Sequence, residues 1–258
     1  ALQGSRTGGS EGARLMGEAV AAYRLALRVY NEADHPAGWA MTQNNLAVAL
    51  QDQGRRSGGK DGARLLGEAV KTFRAALRVY TEADHPVKRA QTQNNLGTTL
   101  CDQSSRIGWE DGAQLLVEAV AAFRAELRVY TETDRPVEWA GTKNNLGNAL
   151  RIQGSRIGGL EGASLLGEAV DAFRAALRVF TEVDHPVRWA VTQTNMALME
   201  EAIAEHETSV DPRPHLEAAL KHLDNALRVY DPEHMPYDHG KATESRARIA
   251  DKLAELDE

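Results

Sequence analysis

The sequence predicts an all-α array of stacked helix pairs, and three observations predict it. One unit recurs without gaps: Arg28, Arg78, Arg128, Arg178 and Arg228 stand fifty residues apart, each within Leu-Arg-Val. Pro36, Pro86, Pro136, Pro186 and Pro236 keep the same spacing and punctuate the chain where helices can start. Apolar residues inside the unit recur at spacings of three and four and never alternate as a strand requires. A repeat of this length is a solenoid, in which each unit buries its apolar face only against its neighbours.

The chain opens at Ala1, and Gln3 aligns with Gln53, late in a helix. It is therefore expected to begin inside a unit (residues 1–35) and to be a piece of a longer protein. A B-type helix is expected near 11–31. In the unit 36–85, Pro36 suits a first helical turn, where a missing N–H costs nothing, with Asp34 or His35 as its cap. Trp39, Gln43, Leu46, Ala47 and Leu50 then form the stripe of helix A, and Gly54 is read as its end, about 18 residues on.

Gly58, Gly59 and Gly62 are read as a loop. Helix B follows with Leu65, Leu66, Ala69, Val70, Phe73, Ala76, Leu77 and Tyr80 on one broad face. The pattern returns in units 86–135, 136–185 and 186–235, giving ten helices in about five pairs. The last unit is degenerate, with Thr194-Asn195-Met196 in place of Asn-Asn-Leu, and the charged segment 236–258 reads as a capping helix. The whole chain is expected to be a single solenoid domain.

On helix B, Arg74 and Arg78 repeat as Arg24–Arg28, Arg124–Arg128 and Arg174–Arg178. Like charges four apart oppose each other mildly, so these arginines are expected to pair with helix B glutamates, one turn before or in the next unit. Arg6, Arg56, Arg106 and Arg156 are expected to bond the last carbonyls of helix A. Glu126 stands where Ala26, Ala76, Ala176 and Ala226 stand, and a buried unpaired carboxylate is costly. It is expected to reach solvent or an arginine at the interface edge.

Net charge is −7 with both signs interspersed, which argues against nucleic acid or an anionic membrane as partner. No apolar run approaches a membrane span. The lone Cys101 excludes an intramolecular disulfide and fits a cytoplasmic location.

Leu46-Ala47, Leu96-Gly97 and Leu146-Gly147, followed by Ala69, Phe73 and Ala76 and their copies, resemble the tetratricopeptide repeat. The Thr-Gln-Asn-Asn-Leu-Gly string is similar to its kinesin-light-chain branch. The unit is longer than the family's, by roughly sixteen residues against about 34. The extra length is expected to divide as about ten residues in the A–B connection and about six in the B–A connection.

The resemblance implies a right-handed superhelix whose concave wall is made of A helices and binds extended peptides or partner domains. It places Met41, Asn44, Val48 and Gln51 on that wall, then Gln91, Asn94, Thr98 and Cys101. Gly141, Asn144, Asn148 and Arg151 follow, and then Val191, Thr194, Leu198 and Glu201. The centre of the wall is a ladder of amides, with Asn45, Asn95 and Asn145 beside it. An amide offers donors and acceptors to an extended backbone without demanding a side chain. The competing reading is that these asparagines hold neighbouring helices together.

Other chemistry is weakly supported. Arg151 is the one basic residue on the implied wall, so a clamp for a terminal carboxylate is not expected. Asp-His-Pro recurs at 34–36, 84–86 and 184–186, but the remaining copy is Asp134-Arg135-Pro136, and helix capping explains the aspartate and proline. The glycine loops lack the Gly-Lys-Ser/Thr ending and the strand of a phosphate loop. Trp39, Trp139 and Trp189 give way to Arg89 in one copy, so that position is read as half-exposed, and Trp109 as exposed. No cofactor, metal or catalytic set is expected. The leading reading is a non-catalytic interaction scaffold, the recognition arm of a larger signalling protein; a ligand sensor and a self-assembly module pairing through the open end are the alternatives.

Overall fold

The computed structural model describes residues 9–206 and 208–257, without the side chains of residues 9, 10 and 109. Arg6 and the exposure of Trp109 lie outside what it describes. Ten α-helices follow one another, with no strand among the described residues. They are α1 (Gly9–Ala26), α2 (Pro36–Arg56), α3 (Gly59–Val79), α4 (Pro86–Ser104) and α5 (Trp109–Glu126), then α6 (Pro136–Ile157), α7 (Gly159–Leu177), α8 (Pro186–Ala204), α9 (Arg213–Leu227) and α10 (Pro236–Ala254). The chain divides into two compact units, Ala1–Val129 and Tyr130–Glu258. Within each, every helix packs on the next, α1 through α5 in the first and α6 through α10 in the second.

The prolines start the A helices α2, α4, α6 and α8 as the spacing requires, each at the first or second helical position. The caps differ from expectation. His35, His85, Arg135 and His185 occupy the N-cap but make no side-chain capping bond. The aspartate before each folds the preceding turn instead. The Asp84 N–H donates to Thr81 Oγ1 at 3.0 Å, Asp134 to Thr131 at 3.1 Å and Asp184 to Thr181 at 3.0 Å; Asn31 does the same for Asp34 at 2.8 Å. The histidine rings meet the aromatic residue that ends the previous B helix edge-on, at 5.5 Å for Tyr80–His85 and 5.7 Å for Phe180–His185. Arg135 takes the same seat over Tyr130 at 5.8 Å, which is how one copy dispenses with histidine.

The extra length lies in the helices, not in the A–B connection. Only residues 57 and 58 separate α2 from α3, and Gly158 alone separates α6 from α7. Gly54 is therefore inside helix A and Gly62 inside helix B. Both are buried where the hairpin closes: a Cβ on Gly54 would stand 2.9 Å from Leu66, and one on Gly162 would stand 2.6 Å from the Gly154 carbonyl. These glycines bring two helices together rather than end one.

The core repeats with the sequence. Phe73, Phe123 and Phe173 are fully buried, and a Cβ on Gly97 or Gly147 would fall 2.8 or 2.9 Å from the ring of Phe123 or Phe173. Leu-Gly in helix A is thus the seat for the helix B phenylalanine. Thr42, Thr92, Thr142 and Thr192 are buried too, and each hydroxyl donates to the carbonyl four residues back, at 2.7–2.9 Å.

Trp39, Trp139 and Trp189 are 8–9% exposed, so the half-exposed reading fails. The physical reason is an arginine from the following B helix. Arg78 lies over the Trp39 ring at 5.2 Å, Arg178 over Trp139 at 5.4 Å and Arg228 over Trp189 at 5.4 Å. Beneath the guanidinium, Trp39 packs with Ala40, Ala76 and Tyr80 and against Leu27, Ala75 and Val79.

Candidate functional site

The arginines of helix B find carboxylates in both directions. Arg74 donates to Glu118 of the next B helix at 2.5 Å, and Arg24 pairs with Glu68 in the same way, as the charge pattern implies. The second arginine of each pair turns back. Arg78 meets Glu32 with two bonds, 3.0 and 2.6 Å; Arg178 meets Glu132 at 2.9 and 2.7 Å; Arg228 meets Glu182 at 3.1 and 2.8 Å. Bonds from these arginines hold Glu32, Glu132 and Glu182 below the usual carboxylate range. The sequence signal for this pairing is a glutamate 46 residues before the arginine, with a tryptophan seven residues after that glutamate in three of the four copies. Arg106 bonds A-helix carbonyls, as expected, but those of the preceding unit, Ser57 and Arg55.

On the A helices, Asn44, Asn94 and Asn144 are half-buried and bond between helices. The Oδ1 of Asn44 lies 3.2 Å from the Thr92 hydroxyl of α4, and the Oδ1 of Asn144 accepts from Asn195 of α8 at 3.0 Å. The Nδ2 of Asn94 donates to Glu126 of its partner helix α5 at 2.6 Å. Each bond ties helices together, the role set beside ligand binding in the sequence reading. Glu126 is 3% exposed, so it does not reach solvent; the amide meets its carboxylate inside the pair.

The remaining positions differ in access. Asn45, Asn95 and Asn145 are half-buried. Asn148 is half-buried as well, and its Oδ1 accepts from Arg151 at 3.0 Å. Gln51 is 5% exposed and so is buried rather than presented to solvent. Gln91 and Met41 are exposed, and Val191 is 39% exposed. Glu201 is buried: the C-terminal helix α10 covers it, with Arg248 donating at 3.1 and 2.7 Å and Lys252 at 2.7 Å. Burial alone would push the Glu201 carboxyl up, but these cations outweigh it and hold it below the ordinary range.

The solvent-facing part of the A-helix row in the first unit is therefore Met41 and Gln91, backed by half-buried Asn44, Val48, Asn94 and Thr98. Its chemistry is neutral, with amides, a hydroxyl and two aliphatic side chains, suited to hydrogen bonding an extended backbone. Among the described residues no group of three histidine, cysteine, aspartate or glutamate side chains is placed to hold a metal ion, and no helix is long and apolar enough to cross a membrane. No protein-family model matches the chain, and none of the curated proteins resembles it significantly.

Proposed function

We propose that the chain is a tetratricopeptide-type superhelix acting as a non-catalytic scaffold that holds an extended peptide or a partner domain against its A helices. The observation that carries this reading is the exposed pair Met41 and Gln91, set on adjacent helices that the Asn44–Thr92 contact keeps in register. Side chains in register on rigid helices present fixed donors and acceptors, so a peptide loses the ordering entropy and the scaffold loses little. The cytoplasmic setting and the role as recognition arm of a larger signalling protein belong to the same proposal.

The test is a selection of unstructured peptides displayed against the chain, followed by titration of the winners. Met41→Arg with Gln91→Arg places two bulky cations on the row at exposed positions, where the fold tolerates them. Selected peptides should lose at least about tenfold in affinity, roughly 1.4 kcal/mol. If they bind the double variant unchanged, and changes on the B helices remove binding instead, the row is not the site.

A further inference from the structure

The second copy of the tryptophan clamp is broken. Arg89 stands where Trp39, Trp139 and Trp189 stand, and it is half-buried where they are buried. Its own counterpart of the covering arginine, Arg128, has slackened: it reaches Glu82 at 3.4 Å, against 2.6–2.8 Å in the other three copies. An arginine now stands where the other three copies hold an indole. Arg89 turns away and donates to the Tyr80 carbonyl at 3.1 Å, and among the described residues no carboxylate pairs with it.

Beside Arg89 lies a cavity of about 480 Å³ formed by α3, α4 and α5. It is largely open to solvent, a groove rather than an enclosed pocket. Its apolar lining is Leu77, Leu96, Ala121 and Ala122; its guanidinium groups belong to Arg74, Arg78 and Arg89. Arg74 is matched by Glu118 in the same wall, and Arg78 by Glu32, which leaves the charge of Arg89 uncompensated. Leu77 is the counterpart of Leu27, which packs on the Trp39 cluster in the preceding copy.

We infer that this groove binds a carboxylate carried on an apolar body, with Arg89 as the anion-binding residue. A guanidinium offers a planar fork matched to a carboxylate, and the aliphatic wall takes the apolar body. One uncompensated charge balances a monoanion and leaves the second charge of a dianion such as a phosphate monoester unmatched. The inference is independent of the peptide reading, because Arg89, Gln93 and Leu96 lie on the opposite face of α4 from Gln91, Asn94 and Thr98.

Two sources share this chemistry, a free organic acid and an acidic side chain of a partner protein. The probes are indole-3-propionate, its neutral amide, and a blocked peptide with one glutamate between leucines, each titrated by calorimetry into the whole chain. Arg89→Trp restores the residue of three sister copies and closes the groove; Arg89→Gln removes the charge and keeps it open. The acid should bind at least about tenfold more tightly than its amide, and both variants should lose that preference. Tighter binding of the free acid assigns a small-molecule site, and tighter binding of the peptide assigns a partner protein. Absence of binding by both acidic probes overturns the inference, as does equal binding by Arg89→Gln, or displacement of the acid by equimolar inorganic phosphate.

Discussion

Removing the Asn94 side chain should cost far more when Glu126 is present than when it is not. The carboxylate is 3% exposed and receives the Asn94 amide at 2.6 Å. Hydrogen bonds to charged groups contribute about 1.5–3 kcal/mol, and a buried charge deprived of one is penalised on the same scale. Asn94→Ala should therefore destabilise by about 2 kcal/mol, or about 4–8 °C in Tm at this chain length. Glu126→Ala restores the alanine of the sister copies, three of which, Ala76, Ala176 and Ala226, are fully buried at that position. It should be close to neutral, because loss of the bonds is offset by relief of carboxylate desolvation. In that background Asn94→Ala should cost less than about 1 kcal/mol, a coupling of roughly 1–1.5 kcal/mol. Urea unfolding of the four proteins at neutral pH closes the cycle. Equal cost of Asn94→Ala in both backgrounds would refute the pairing as an energetic unit.

The tryptophan clamp and the C-terminal pair give two further expectations. Trp139→Ala should cost about 3–5 kcal/mol, as a buried large-to-small change does, while Arg178→Ala, which uncovers the ring without emptying the core, should cost clearly less; thermal melts order the two, and the reverse order would show that the ring is held by the guanidinium. On the acid side, burial lowers the pKa of His222, whose Nδ1 lies 2.5 Å from the Gln193 Oε1, so below the ordinary 6.5 the unfolded chain takes up the proton first. Stability is complete above that pH and falls as pH drops toward the lower folded value. Glu201, held below 4.5 in the fold, adds a second loss as pH falls through its folded value. Urea midpoints from pH 8 downward should show both steps, with His222→Gln flattening the upper and Glu201→Gln the lower; a midpoint that rises on acidification contradicts both assignments.

Helix starts were legible because proline is tolerated at a first turn and almost nowhere else in a helix. Helix ends were not, because glycine serves two purposes. Gly54 and Gly62 read as a stop and a loop, yet they sit inside helices at the crossing of α2 and α3, where only a hydrogen fits. Trp39 misled for a related reason. Its replacement by Arg89 looked like tolerance of charge, whereas the Trp39 ring is covered by an arginine 39 residues downstream, on the partner helix of the same unit. Periodicity reports what a residue is, and not which side chain on the neighbouring helix covers it. The asparagines of the A helices were flagged because asparagine is unfavourable mid-helix, but pattern alone could not separate a bond to the next helix from a bond to a ligand.

The two arginines of helix B divide their attention, one reaching forward by 44 residues and the other back by 46. A copy inserted at a unit boundary therefore brings one open half of each clamp at its front and one at its rear, and its new neighbours supply the complements. Lengthening the array by fifty residues leaves no added charge stranded in the interior, and shortening it by fifty exposes none. Duplication is then nearly neutral to the folded state, so unit number can drift under selection for reach alone. The same arithmetic forbids growth by any other increment: a half-unit insertion would set arginine against tryptophan without its glutamate.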